Sequence, residues 1–326
     1  MADSQKFRAL LAEGRFKETL ERYREIDTEP EGRRPEMQFL AATAATRLGD
    51  LVLGTALAEE ALGQFRRRGD WDGSMRSLNL LGAIQWERGQ TTQAGTCFAE
   101  ALRLARELKD SLMLARACNN LASVAHLQGR FDEAAGLYRG ALLAYQRLGD
   151  RRGTAETYHN LGLAYWQSGG WNEAQDAADD AVRHAEMVGD RSLLALALAG
   201  RAEIRVERND VALAERELER AQRLAQEVSD EIVGAEVHRV RGLAALRRKN
   251  WELALDHAEA ARAVALEHDS VQLNAECSWI AARALRGLGR LKEAAQRRDE
   301  AEAGFQLLGA MTLLERLRED SGGPAN

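Results

Sequence analysis

Proline, cysteine and aromatic residues are all scarce in this 326-residue chain, which has 3 Pro, 3 Cys and 6% aromatics. With so little proline, few positions force a helix to stop. The three cysteines, Cys97, Cys118 and Cys277, are odd in number and far apart, with no Cys-x-x-Cys pair. That fits reduced thiols in a cytoplasm better than a disulfide framework. Lysine is sparse beside arginine. No run of 18 apolar residues occurs, so no membrane-inserted helix is expected. The opening "MADSQKFRALLAEG" lacks a cationic stretch followed by an apolar core, which reads against a secretory signal. Runs of alternating β-branched residues are missing as well, so no sheet is expected. The formal net charge of −6 gives no general electrostatic reason to bind nucleic acid or an anionic membrane. What is abundant is Ala, Leu, Glu and Arg, side chains that lose little rotamer freedom in a helix. The expected class is therefore all-α.

The organisation is periodic. Alanine recurs at 61, 101, 141, 181, 221, 261 and 301, and again at 94, 134, 174, 214, 254 and 294, with Gly54 one period earlier. A third column, also at a spacing of 40, reads Ala42, Gly82, Ala122, Gly162, Ala202, Gly242 and Ala282. A fourth holds Asp70, Asp110, Asp150, Asp190 and Asp230. Four registers kept over this length specify a repeated helical hairpin. The first helix of each unit carries the Ala/Gly column, a turn follows near 49, 89, 129, 169, 209, 249 and 289, and the second helix carries the two alanine columns on one face. Small residues at these points let helices approach closely, and each Asp stands where it can cap the next helix. In "YHNLGLAYWQSGGWNEA", Ser168-Gly169-Gly170 is the predicted turn of one hairpin, with Trp171 opening its second helix.

Tyr158-x-x-Leu161-Gly162-x-x-Tyr165, followed by Ala174 and Ala181, resembles the tetratricopeptide repeat, whose first helix carries W-x-x-L-G-x-x-Y and whose second carries alanine columns. Leu78, Leu81, Gly82, Ala94, Phe98 and Ala101 match similarly, as do Leu121, Ala122, Ala134, Tyr138 and Ala141. From about 191 onward the small residues persist but the large ones fade: Arg201 and Arg241 stand where Leu161 does. The period exceeds the family's usual 34 residues and resembles the long-helix subclass of polarity scaffolds and bacterial peptide-receptor regulators. The resemblance implies a right-handed α-solenoid of about eight units. They comprise a modified first unit at 1–35, seven repeats over 36–309, a closing helix at 310–320 and a frayed tail at 321–326. Residues 28–36, "TEPEGRRPE", are expected to be irregular. Such units bury their apolar faces only by stacking, so one solenoid is expected.

The resemblance further implies that first helices line a concave groove and that partners bind there. On that pattern the groove includes Arg76, Asn79 and Trp86 in one unit and Arg116, Asn119, Asn120 and His126 in the next. His159, Asn160 and Trp166 follow, and Arg239, Trp279 and Arg283 continue the surface toward the end. Trp86, His126 and Trp166 form one column of ring side chains, the Trp members supplying flat apolar surface. The Asn side chains offer donor and acceptor to a peptide backbone. The plain alternatives are that the aromatics pack against the next hairpin and the amides brace neighbouring units. Likewise, Arg239, Arg247, Arg283 and Arg286 either clamp a partner's carboxylates or pair with Glu203, Glu207, Glu236 and Glu276 of the same face.

Catalytic and cofactor signatures are missing. The six histidines form no His-Glu-x-x-His, no Cys/His set has zinc spacing, and no phosphate-binding glycine loop follows a strand. The expectation is a non-catalytic scaffold or adaptor, without metal or cofactor, that binds another protein, an extended peptide or a helix. A peptide-gated regulator acting on a partner in trans is the alternative. An enzyme with an unfamiliar site would require titratable groups converging in a pocket.

Overall fold

The computed structural model describes residues 2–26 and 34–322, and among them every regular element is an α-helix. The chain divides into two compact units, Met1–Leu121 and Ala122–Asn326. The first contains α1 (Ala2–Ala12), α2 (Phe16–Ile26), α3 (Pro35–Arg47), α4 (Leu51–Arg67), α5 (Trp71–Glu87) and α6 (Thr91–Leu108), and α7 (Ser111–Leu127) runs through the boundary. The second continues with α8 (Phe131–Leu148), α9 (Arg151–Gln167), α10 (Trp171–Val188), α11 (Arg191–Glu207) and α12 (Val211–Glu227). It ends with α13 (Glu231–Arg247), α14 (Trp251–Glu267), α15 (Val271–Gly287), α16 (Leu291–Leu308) and α17 (Met311–Gly322). Most of the segment expected to be irregular, and the last residues of the expected tail, lie outside the described residues. Pro35 and Glu36, assigned to that irregular stretch, instead open α3, where proline suits the first helical turn.

A left-handed residue interrupts the chain every 20 positions. Within hairpins it is Gly49, Gly89, Gly129, Gly169, Asn209, Lys249 or Gly289, and between hairpins Gly69, Lys109, Gly149, Gly189, Ser229, Asp269 or Gly309. The turn at Gly169 (φ 86°) shows the arrangement: its N–H donates to Trp166 O at 3.0 Å, and Gly170 N–H donates to Tyr165 O at 2.8 Å. These bonds satisfy carbonyls that the helix end leaves free. The Asp column starts the next hairpins as the spacing predicts. The carboxylates of Asp70, Asp110, Asp150, Asp190 and Asp230 each accept from the backbone N–H three residues on, at 2.8–3.1 Å.

The small columns are buried in both units. The alanines at 61, 101, 141, 181, 221, 261 and 301 are fully inaccessible. Gly162 shows why size matters: a Cβ there would stand 3.3 Å from Ala174 O and 3.4 Å from Ala178 N, the backbone of its own hairpin partner. Where the large apolar residues fade, charge replaces them. Arg201 and Arg205 of α11 both pair with Glu217 of α12, and burial pushes Glu217 upward despite the two arginines.

Within the second unit the first helices of successive hairpins, α9, α11, α13 and α15, touch one another directly. They therefore line the inner side of the stack, and the residues pointing off them form its inner face.

Candidate binding surface

In the first unit, the α5 and α7 candidates brace neighbours. Arg76 reaches Asp72 at 2.8 Å and Glu36 of α3 at 3.5 Å, and its guanidinium stands 5.3 Å from the Phe39 ring centroid. It is a strut between α3 and α5. Asn120 of α7 donates to Asn79 Oδ1 of α5 at 3.2 Å, so two of the predicted amides satisfy each other across adjacent hairpins. Asn119 and Trp86 are half-buried, and Arg116 is exposed.

In the second unit, the inner-face candidates gather around one cation. Arg239 of α13 is buried and grips Glu203 of α11 with both terminal nitrogens, at 3.0 and 2.7 Å. Its Nε donates to Glu236 at 2.8 Å, and Glu276 of α15 lies 3.1 Å away. Burial disfavours the Arg239 cation, but the three carboxylates outweigh it and raise its affinity for the proton. One guanidinium cannot neutralise three acids. Burial first, and then the surplus charge of Glu236 and Glu203, lifts Glu276 to about 7 against the pull of Arg239. Of the two readings the charge pattern allowed, internal pairing is what the geometry shows at Arg239. Its donors are spent on tying α11, α13 and α15 together.

His126 and His159 border this hub. The His159 ring fits against Gly200, where a Cβ would sit 2.4 Å from its Cε1. Burial lowers His159 to about 4, partly offset by Glu203 and reinforced by Arg239 and His126. His126 is also lowered to about 4 by burial, although Gln167 hydrogen-bonds to it and Glu203 lies nearby. Both rings are neutral at pH 7. Asn160 is half-buried beside them. Trp166 is half-buried, with one side packed on the cluster of Ala174, Ala178 and Ile204.

The last inner-face candidates meet α17. Trp279 Nε1 donates to Asp320 Oδ2 at 3.0 Å, Arg283 stands 3.6 Å from the same carboxylate, and Arg286 donates to the Asp320 main-chain carbonyl. Arg283 also lies 5.9 Å from the Trp279 ring centroid. From the other side of α17, the Arg316 guanidinium lies 5.9 Å from the Trp166 ring. Helix α17 starts 40 residues after α15, in the register of the first helices, and Arg316 stands in the column of Arg76, Arg116, Glu236 and Glu276; the sequence marks it as a closing helix but does not encode its contact with Trp166. Chemically, the inner face offers two half-buried indoles, an indole N–H and one arginine at a carboxylate with a second arginine on its main-chain carbonyl, and a charge hub whose groups are engaged with each other. Among the described residues no group of three or more His, Cys, Asp or Glu is placed to hold a metal. No helix is long and apolar enough to cross a membrane.

The profile of the Tetratricopeptide repeat family matches residues 111–187. No curated protein matches the sequence. Among solved structures, a Rap protein complexed with Competence and Sporulation Factor is similar with a TM-score of 0.70 at 13% identity, over 90% of this chain and 80% of that one. The Rap conjugation gene regulator of plasmid pLS20, in complex with the Phr* peptide, gives 0.65 at 15% identity, over 90% and 77%. Aspartyl phosphate phosphatase F from Bacillus subtilis gives 0.66 at 13%, over 85% and 71%. Identities this low speak for the fold. Residues 111–187 thus match the tetratricopeptide repeat, and the hairpins of the chain share the helical-repeat fold of these structures.

Proposed function

We propose that this chain is a non-catalytic scaffold or adaptor that binds a peptide or a segment of another protein along the first helices of its hairpins. The observation that carries this reading is the inner face of the second unit, where Trp166 and Trp279 remain half-buried, with Arg283 beside Trp279. Half-buried indoles and an adjoining arginine supply the apolar anchor and the carboxylate recognition typical of binding hot spots. Two similar folds were solved with Competence and Sporulation Factor and with the Phr* peptide, which supports a ligand of that kind. A third is a phosphatase. Here the buried acids and bases of the inner face are spent on Arg239, which favours binding over catalysis. The net charge of −6 favours a protein or peptide over nucleic acid, and the buried thiols Cys118 and Cys277 suit the cytoplasm.

A second reading, a peptide-gated regulator acting in trans, is favoured by α17, which crosses the surface that a ligand would use. The test for binding is recovery of partners by purified full-length protein compared with Trp166→Ala and Trp279→Ala. Loss of the same partners from both variants, with helical content retained, is expected; equal recovery by all three proteins would refute the reading.

A further inference from the structure

The helix α17 is unlike every other element of the second unit. It has 12 residues, against 17 or 18 in α8 to α16. A helix of that length is marginal in water by itself, so its contacts must hold it. Those contacts are not confined to α16, its neighbour in the chain. At its start, Thr312 lies against Gly129 in the turn between α7 and α8, so closely that a Cβ on Gly129 would fall 2.0 Å from the Thr312 hydroxyl. One turn on, Arg316 covers the Trp166 ring of α9, while Leu314 and Leu317 are buried. At its end, Asp320 takes up Trp279, Arg283 and Arg286 of α15. One short helix thus spans both indoles of the proposed surface and fills its carboxylate position.

We propose that α17 is an internal, displaceable occupant of the inner face, and that the partner is a carboxylate-bearing amphipathic segment which enters by taking its place. This rests on the reading of that face as the binding surface. Charge complementarity fixes the chemistry. The position held by the Asp320 carboxylate presents an indole N–H and the Arg283 guanidinium, donors that suit a carboxylate, while Arg286 holds the adjoining main-chain carbonyl. The position held by Arg316 is an aromatic face open to a cation. Leu314 and Leu317, buried in the seated helix, give the occupant its apolar side. The carboxylate is either an acidic side chain or the free end of a peptide. In the unliganded protein the site is closed, and affinity for a partner is reduced by the fraction of molecules in which α17 stays seated.

The experiment uses the full chain and its Arg316→Ala/Asp320→Ala variant, which alters the occupant and leaves the seat intact. Hydrogen exchange is followed in α17 and in α11 to α13. The binding probe is a labelled synthetic peptide of residues 311–320, MTLLERLRED. In the variant, α17 amides are expected to exchange about tenfold faster or more while α11 to α13 are unchanged, and the peptide to bind about tenfold tighter than to the parent chain. Peptides that keep the aspartate but are amidated, and peptides with Asn there and a free end, separate the two carboxylate sources; both modifications together should abolish binding. Unchanged exchange in α17, or equal peptide affinity for the two proteins, would overturn the proposal. Because the probe is the chain's own sequence, the result does not depend on whether a cellular partner is ever recovered.

Discussion

Arg239 pairs with three carboxylates on three helices. Replacing it with Leu leaves buried Glu203 and half-buried Glu236 and Glu276 without their cation, and losing one partner of a buried ion pair costs about 3–5 kcal/mol. A fall of that size in unfolding free energy is expected in chemical denaturation, and an Arg239→Leu protein as stable as the parent would rule out the hub. The neighbouring histidines respond to acid. An unfolded His binds a proton near pH 6.5, whereas folded His126 and His159 do so only near pH 4. Between those values the unfolded state holds more protons, so stability falls as pH is lowered through that window. Glu276, raised to about 7, works in the opposite sense between pH 4.5 and 7. The clean readout is therefore a difference: His126→Gln/His159→Gln should flatten the acid-side decline in melting temperature between pH 6.5 and 4. Thiols give a third check at this scale. Burial pushes all three thiols upward, but Cys118 and Cys277 are buried and Cys97 is half-buried, so Cys97 is expected to react first with a thiol reagent in the native protein.

At the scale of elements, the hairpins are written redundantly. A left-handed turn residue and three small columns mark the repeats, and an Asp cap starts five of them, so losing one signal leaves the others. Asp150→Ala removes the bond to Gly153 N–H and should cost about 1 kcal/mol, read as a shift in denaturation midpoint with the fold retained. Redundancy of this kind is why the helices and their turns were legible in the sequence. Gly162 and Ala202 must be small in every unit because hairpins nest there, and the constraint recurs at a fixed interval. The binding surface was less legible for the same reason. Asn79 lies in a readable column, but nothing in that column says that its partner is Asn120 of the next hairpin and not a ligand. Arg239 was readable as an inner-face cation, yet whether it serves Glu203 or a visiting carboxylate depends on distances that spacing does not encode. Helix α17 starts 40 residues after α15, so the register sets it beside Trp279, but spacing does not encode its contact with Trp166 of α9.

At the scale of the molecule, function follows from what a stack of hairpins leaves uncovered. Burying the small columns uses up one face of every helix. The inner face of the first helices is left for polar and aromatic side chains that the stack itself does not require. In the second unit some of these tie helices together, as Arg239 does, and others meet α17. The most direct test of binding at that face is site-specific photo-crosslinking from the full-length chain in its native host. A crosslinker is placed at Trp166 on the inner face and, separately, at Met187, an exposed residue on the second helix α10. Partner adducts from position 166 and not from 187 are expected, whereas adducts from 187 alone would contradict binding along the first helices.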